Sequence, residues 1–334
     1  YSCLSSTQLV IFALLLISQG IFAQNTPYGK EPLAHTFSIV AYDPETKEMG
    51  VAVQSHWFSV GTLVSWGEAG VGVVATQSFV NPMYGTQGLA LMKNGLSAEQ
   101  ALEGLIANDP GEAVRQVAMI DAAGNVAAHT GSNCIAEAGH YIGENFSVQA
   151  NMMTNATVWP AMAKAYEEAE GDLADRMMAA LEAAQAEGGD IRGKQSAALL
   201  VVQGDATGFP WVDRSIDIRI SDSPTPLKEL RWQLTVAKAY DYMNAGDYYV
   251  EEGEFEKAME AYGTAEKMFP DNKEMKFWHA VTLANIGEME EALKLFSEVF
   301  AADGENWRTL IDRLVAPGLI TVSEEDLKRI QQVK

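Results

Sequence analysis

The sequence has 334 residues, 48% hydrophobic and 20% charged, which is typical of a folded protein with room for one large and one smaller domain. Its formal net charge of −22 argues against nucleic acid or an anionic lipid surface as a partner. The two cysteines are Cys3 and Cys134, and loss of a leader that contains Cys3 would leave no pair for an internal disulfide.

The first 23 residues have the pattern of a secretory signal peptide. An apolar run begins at Leu9 and continues to Ala23, a small residue that suits a cleavage position. A membrane anchor is the alternative, but the apolar core is short for a span of about 20 residues and Ser18-Gln19-Gly20 interrupts it. We therefore expect an exported protein, periplasmic or extracellular, in which residues 24–34 form a polar leader.

The next part of the chain predicts an α+β domain over residues 35–222. Two apolar runs flank a polar turn with Asp43-Pro44, the pattern of a β-hairpin. Strands are predicted at 36–41, 49–55, 62–66, 71–77, 115–120, 126–129, 146–151, 196–203 and 215–220. Helices are predicted around 89–92, from a capping box at Ser97-Ala98-Glu99-Gln100, and at 157–169 and 171–187. Because hairpins dominate and no regular βαβ alternation occurs, we expect antiparallel sheets with helices on the outside.

Residues 223–334 predict a smaller all-α domain with repeats at about 241–305. Residues 253–262 align with 287–296 at an offset of 34 residues, which is the period of tetratricopeptide (TPR) repeats. Flanking helices at about 226–246 and 306–315 are predicted to cap the repeats or dock them on the first domain. The repeats contain 16 acidic and 5 basic residues. They are either a stabilising appendage with a solvated acidic face or a groove for a basic or extended protein partner.

A series of short motifs identifies the first domain with a known family. They are His35-Thr36-Phe37-Ser38-Ile39-Val40-Ala41, Gly50-Val51-Ala52-Val53, Ala69-Gly70-Val71-Gly72 with Ala75-Thr76-Gln77, Asn81-Pro82-x-Tyr84-Gly85, Asp121-Ala122-x-Gly124, Ala128-His129-Thr130-Gly131, Ala138-Gly139-His140, Glu170-Gly171-Asp172-Leu173 and Gly188-Gly189-Asp190-Ile191-Arg192-Gly193-Lys194-Gln195-Ser196-Ala197-Ala198-Leu199. Residues 35–220 thereby resemble an uncharacterised bacterial family of the Ntn-hydrolase superfamily. The resemblance implies a four-layer αββα sandwich and, in some relatives, C-terminal additions associated with cell-wall material. It brings no established reaction.

Thr36, at the start of the first strand of the hairpin, is the candidate nucleophile. A threonine at a free chain end can attack an amide carbonyl with its own α-amine as the base. With an ordinary pKa near 8, about a tenth of such amines are neutral at pH 7. Cleavage after Ala23 would leave residues 24–35 ahead of Thr36, so a second cleavage, for which self-catalysis is one route, is required. The alternative is a strand threonine paired across a sheet.

Asp190, Arg192 and Lys194 complete the predicted catalytic set. They lie between a predicted helix and a buried strand, where polar side chains are costly without partners. Arg192 or Lys194 would hold an anionic substrate or stabilise developing charge, and Asp190 would orient either cation. The alternative is an Asp–Arg pair that fixes the loop.

Eight further residues are predicted to contact substrate: Ser38, His56, Gln77, Asn81, His129, Asn151, Gln195 and Ser196. The amides of Gln77, Asn81 and Asn151 suit an oxyanion or a substrate amide, or else cap turns. His129, Cys134 and His140 are five and six residues apart, which does not match compact zinc spacings. We therefore predict no metal and no other cofactor.

Two functions remain open. The first is an exported Ntn-type amidohydrolase that uses Thr36 on a peptide-like or cell-wall-derived amide. The second is a non-catalytic Ntn-like module whose TPR tail recruits a protein partner. The expected partners are a small-molecule or peptide-like substrate, a protein bound by the TPR tail and, through sheet edges, a second copy of the chain; nucleic acid is not expected.

Overall fold

The structure is a computed structural model that describes residues 33–333, apart from the side chains of residues 302–304. The predicted signal peptide, residues 1–23, and leader residues 24–32 lie outside the described residues. The chain divides into two compact units, the first reaching Leu230 and the second beginning at Arg231.

The first unit contains two antiparallel sheets. Their strands are β1 Leu33–Ala34, β2 Thr36–Tyr42, β3 Met49–Ser55, β4 Ser65–Glu68, β5 Gly72–Phe79, β6 Arg115–Asp121, β7 Val126–Thr130, β8 Gly139–Gly143, β9 Phe146–Ala150, β10 Ser196–Val202 and β11 Arg214–Ile220. One sheet has the order β1-β5-β6-β7, with β4 also paired to β5, and the other has the order β11-β10-β3-β2-β9-β8. Every pairing is antiparallel, as predicted from the hairpins.

Four helices cover the outer faces of these sheets: α1 Met83–Lys93, α2 Ala98–Ala107, α3 Val158–Glu168 and α4 Leu173–Ala186. Helices α1 and α2 pack on the first sheet, whereas α3 and α4 pack on the second. Successive side chains of a strand point to opposite faces. In β2 and its partner β3, Ser38 therefore faces the first sheet, while Gly50 lies against Met177 of α4. The order is helix, sheet, sheet, helix, with polar as well as apolar side chains between the sheets.

One predicted strand is only partly correct. Residues 62–66 were expected to be extended, but residues Val60–Thr62 form a 3₁₀ turn and β4 begins at Ser65. The amides of Thr62 and Leu63 donate to the carbonyls of Ser59 and Val60, so they do not join a ladder.

The second unit is helical and contains the predicted repeats. Helix α5, Pro226–Glu251, begins in the first unit and continues into the second. The helices that follow are α6 Phe255–Met268, α7 Lys273–Asn285, α8 Met289–Val315 and α9 Glu324–Gln332. Helices α6 and α8 begin one repeat period apart, and the in-phase aromatic side chains of Tyr262 and Phe296 are both fully buried. Between residues 33 and 333, we find no helix with the length and apolar character of a membrane span.

The predicted separate helix at 306–315 is instead the second half of α8. Phe296, Phe300, Ile311 and Leu314 are buried at spacings that keep one apolar stripe on a single helix. No proline interrupts residues 297–315, so nothing in the sequence forces the helix to end earlier.

Candidate functional site

A network of buried amide side chains joins the two sheets. Gln77 of β5, Gln116 of β6 and Gln149 of β9 are fully buried, as is Asn151, which follows β9. Gln77 Nε2 and Asn151 Nδ2 both donate to Gln116 Oε1, at 2.7 and 2.8 Å. We call Gln77, Gln116, Gln149 and Asn151 the amide network.

The hydrogen bonds of this network have a fixed direction. Gln116 Nε2 faces the carbonyl oxygens of Gly139 and Ala150, at 3.1 and 2.9 Å, so the oxygen of the Gln116 amide must be the acceptor for its neighbours. Asn151 consequently donates toward Gln116, and its own oxygen points the other way, to His35 Nδ1 at 2.7 Å.

His35 closes one end of the network. Its side chain is 1% exposed and its ring lies edge-on to Phe79, with centroids 5.8 Å apart. Burial lowers the pKa of the His35 imidazole, outweighing the hydrogen bond to Asn151 Oδ1 that raises it. The ring is therefore neutral at pH 7, and the orientation of Asn151 assigns its proton to Nδ1.

The carbonyl group of His35 accepts two side-chain hydrogen bonds. Ser55 Oγ donates to this oxygen at 2.6 Å and Arg192 Nη2 donates to it at 2.7 Å. The carbonyl belongs to the peptide bond that precedes Thr36, whose buried hydroxyl donates to the carbonyl of Ala34 at 2.7 Å. The His35–Thr36 peptide bond thus lies next to the Thr36 hydroxyl, and its carbonyl oxygen accepts from one neutral donor, Ser55, and one cationic donor, Arg192.

Asp190 holds the guanidinium in this position. Its carboxylate accepts from Arg192 Nε at 3.0 Å and from Nη2 at 2.7 Å, and it also accepts from the backbone amides of Arg192 and His56, at 2.9 and 3.3 Å. The Asp190 side chain is fully buried, whereas that of Arg192 is 27% exposed. This bidentate ion pair restrains the guanidinium, so that Arg192 stays in contact with the His35 carbonyl.

Comparison with known proteins supplies a family. The model of the family of unknown function DUF1028 matches residues 36–230, and a tetratricopeptide repeat model matches residues 249–314. This chain belongs to the DUF1028 family. A similar solved structure is a crystal structure of protein SPO2555 from Silicibacter pomeroyi, itself described by the DUF1028 family model. It is 30% identical, with a TM-score of 0.55 over 61% of this chain and 90% of that chain. No curated protein matches.

The match confirms the resemblance to a family of unknown function and the repeats that the sequence predicts, and it places the amide network and the Asp190–Arg192 pair inside the DUF1028 domain. Of the predicted residues, the structure brings together Thr36, Asp190, Arg192, Ser38, Gln77 and Asn151. Ser38 Oγ donates to Gln77 Oε1 at 2.7 Å, and Gln77 Nε2 donates to the carbonyl of Thr36 at 3.1 Å. His56 contributes its backbone amide, while its side chain is exposed.

The other predicted residues of this DUF1028 protein have local structural partners. Asn81 Oδ1 accepts from the amide of Met83 at the start of α1, at 3.1 Å. Gln195 Nε2 donates to Asp222 at 3.0 Å, and Ser196 donates to the carbonyl of Trp57.

His129 and Lys194 also lie outside the amide network. His129 Nε2 lies 3.0 Å from the carbonyl oxygen and 3.2 Å from the carboxylate of Glu112. Lys194 is exposed and makes no polar contact with the residues described. For these residues a catalytic or binding role remains a prediction.

Several residues of the amide network, or in contact with it or with the His35 carbonyl, are not among the predicted site residues. They are His35, Ser55, Gln116, Thr130, His140 and Gln149. Thr130 Oγ1 accepts from Gln116 at 2.9 Å and lies 2.8 Å from His140 Nδ1. Burial lowers the pKa of the His140 imidazole, and His129 lowers it further. In the sequence, the glutamines of the network appear only as one such residue in each of the strands β5, β6 and β9.

The residues considered for a metal do not form a ligand set. Cys134 Sγ donates to the carbonyl of Arg115 at 3.2 Å, and burial raises the pKa of this thiol. Among the side chains that the structure describes, there is no group of three or more His, Cys, Asp or Glu residues arranged to hold an ion.

Proposed function

We propose that this DUF1028 protein is an Ntn-type amidohydrolase that cuts its own His35–Thr36 bond and then uses Thr36 as its nucleophile. The proposal depends above all on the carbonyl oxygen of His35, which Ser55 and Arg192 contact at 2.6 and 2.7 Å. Two facing antiparallel sheets between helical layers, with a threonine opening an inner strand, support an Ntn-like sandwich.

The cut would proceed as an acyl shift followed by hydrolysis. Thr36 Oγ1 adds to the carbonyl carbon of His35, and the negative charge that forms on the carbonyl oxygen is stabilised by Arg192 and Ser55. The C–N bond then breaks, and the nitrogen of Thr36 takes the proton that the hydroxyl gave up. Water hydrolyses the resulting ester, which leaves a carboxylate on His35 and a free hydroxyl and α-amine on Thr36.

The processed chain would repeat this chemistry on a substrate. The α-amine of Thr36 removes the hydroxyl proton, and the donors of Ser55 and Arg192 receive the substrate's carbonyl oxygen. Asp190 positions Arg192. A peptide-like or cell-wall-derived amide is the proposed substrate, and export through the predicted signal peptide would bring the protein to it.

The mass of the N-terminus of the purified protein tests this proposal. We expect the native chain to begin at Thr36, the Thr36→Ala variant to retain His35, and Thr36→Ser to restore the cut. The exposed Thr62 provides a matched control, because Thr62→Ala should be processed normally. A protein that hydrolyses an amide while it retains residues ahead of Thr36 would contradict the mechanism.

A second candidate is supported by β1. Leu33 and Ala34 pair with Phe79 and Ser78 of β5, so the residues ahead of Thr36 are built into the first sheet. If they stay there, Thr36 has no free amine. The domain is then a non-catalytic module, and the TPR tail carries the function. An intact N-terminus together with no labelling of Thr36 by an amine- and hydroxyl-directed electrophile would favour this candidate.

The TPR repeats suggest a protein–protein interaction. The acidic excess of the repeats leads us to propose a basic or extended protein partner. We also propose a homodimer through β8 or β11, which are the edge strands of the second sheet. Sedimentation of the full chain with and without charge-reversed β11 residues would test the dimer.

A further inference from the structure

We infer that the space now filled by Leu33, Ala34 and His35 is the acyl-side binding site of the processed protein, and that it takes an extended peptide. In this peptide, the residue before the bond to be cut carries a flat, neutral hydrogen-bond donor, and the residue before that is small. The inference rests on the proposed function, because the site opens only when the bond before Thr36 is cut.

The amide network requires a donor at this place. Asn151 Oδ1 accepts from His35, and its amide cannot be turned over without setting Asn151 Oδ1 against Gln116 Oε1, which already accepts from Gln77. A side chain without a donor would leave Asn151 Oδ1 buried and unpaired. The imidazole of histidine and the carboxamide of glutamine or asparagine fit this requirement.

The site also selects against a positive charge and against bulk. Arg192 binds the adjoining carbonyl oxygen, and burial keeps the His35 ring neutral, so lysine or arginine would place a second cation in a dry site. The Phe79 ring lies edge-on to the imidazole at 86°, which favours a flat group.

The preceding residues of the peptide would bind as a strand. Ala34 pairs with Ser78 and Leu33 with Phe79, so backbone hydrogen bonds to the end of β5 would hold any sequence in register. Ala34 is fully buried and Leu33 is 43% exposed. A small side chain is therefore required next to the donor residue, whereas the position before it tolerates larger groups.

The cut leader would be the first ligand of this site. Cleavage turns the His35 carbonyl into a carboxylate beside Arg192, which adds a charge-assisted hydrogen bond. The tripeptide acid Leu-Ala-His should therefore bind the processed chain and compete with substrate.

Binding of this tripeptide to the chain that begins at residue 36 and carries Thr36→Ala tests the inference by calorimetry. We expect Leu-Ala-His acid to bind about tenfold or more tightly than Leu-Ala-Phe acid, since the latter leaves Asn151 unpaired, and Leu-Ala-Gln to approach Leu-Ala-His. Leu-Trp-His should not bind. Asn151→Leu should remove the preference for His over Phe, and Arg192→Met should remove the preference for the acid over the amide. Equal binding of the His and Phe peptides would overturn the inference.

The same peptides separate this inference from the proposed function. Binding with the expected preference but no hydrolysis of Leu-Ala-His anilide by the chain with Thr36 intact would refute the amidohydrolase and keep the site. Hydrolysis without any preference at the His position would refute the site and keep the amidohydrolase.

A measurement on the full chain covers the case in which the shortened chain does not fold. His35→Leu removes the donor, whereas His35→Gln keeps one. We expect the urea midpoint to fall further for His35→Leu than for His35→Gln. If the two variants unfold at the same urea concentration, the donor requirement is wrong.

Discussion

Replacing Arg192 should destabilise the first unit more than replacing its partner Asp190. The Asp190 side chain is fully buried and that of Arg192 is 27% exposed, so the two ends of the pair differ in their access to water. Removal of one partner of a buried pair costs about 3–5 kcal/mol, because the other charge is left without compensation. Two backbone amides still donate to Asp190, so we expect Arg192→Met to cost about 3 kcal/mol.

Asp190→Asn should cost less. The two backbone amides donate to different oxygens of Asp190, so the asparagine oxygen still accepts from one of them, and the Arg192 guanidinium can be hydrated at its exposed side. We therefore expect about 1–2 kcal/mol. The surface pair Lys164–Glu168, 3.9 Å apart and more than two-thirds exposed on both sides, is the control, and Lys164→Met should change stability by less than about 0.5 kcal/mol.

Urea unfolding followed by circular dichroism measures these differences, with separate transitions fitted for the two units. In a thermal scan, 3 kcal/mol corresponds to a fall of about 6–12 °C in Tm for a unit of this size. If Arg192→Met and Asp190→Asn destabilise the protein equally, or if Arg192→Met costs less than about 1 kcal/mol, the buried carboxylate does not depend on the guanidinium and the reasoning fails.

Two further predictions concern pH and packing. The pKa values of His35 and His140 are lowered in the folded protein, so the stability that these neutral rings contribute should be fully present above the unfolded pKa of about 6.5. Below that pH, the free energy of unfolding should fall by at most about 1.4 kcal/mol per pH unit for each ring. His35→Gln should flatten the plot of urea midpoint against pH, and an unchanged plot would contradict the assignment. In helix α1, a Cβ at Gly85 would lie 2.3 Å from the Trp66 ring, so Gly85→Ala should destabilise the protein by about 1–3 kcal/mol in a thermal scan. Gly104 in α2 has open space around it, so Gly104→Ala should instead stabilise the protein by about 0.5–1 kcal/mol. Equal effects of the two substitutions would refute the packing argument.

Local sequence patterns predicted the elements whose partners are close in the chain. The capping box at Ser97 is present, with Gln100 donating its backbone amide to the serine side chain and returning a side-chain bond to the serine amide. The apolar run that starts at Ser196 is a strand buried along its whole length. The strand prediction for residues 62–66 was only partly correct because Gly61 packs against Ala198, a residue about 140 positions away that no local sequence pattern indicates.

The candidate site divides in the same way. Thr36, Asp190 and Arg192 stood out because polar residues at strand and loop boundaries form recognisable motifs. Gln116 and Gln149 did not stand out, because a single glutamine within a strand has no local signature and acquires its role only when the two sheets face each other. The contact between Arg192 and the His35 carbonyl joins residues 157 positions apart, so the motif indicated function but not the peptide bond it serves.

The backbone position of Thr36 is held by residues that the proposed cut does not remove. Its backbone pairs with Ser55 of β3, which pairs in turn with Ser196 of β10. Its carbonyl accepts from the side chain of Gln77 and the backbone amide of Asn151, both at 3.1 Å. Because these contacts all lie on the downstream side of the His35–Thr36 bond, a cut would free the amine while the backbone of Thr36 keeps its place and Arg192 keeps its pairing with Asp190. Once the leader departs, the Thr36 hydroxyl and Ser55 Oγ, which donate to the carbonyls of Ala34 and His35, would be available to a substrate. The leader can therefore occupy the site without being needed to build it, which is what a self-processing nucleophile requires.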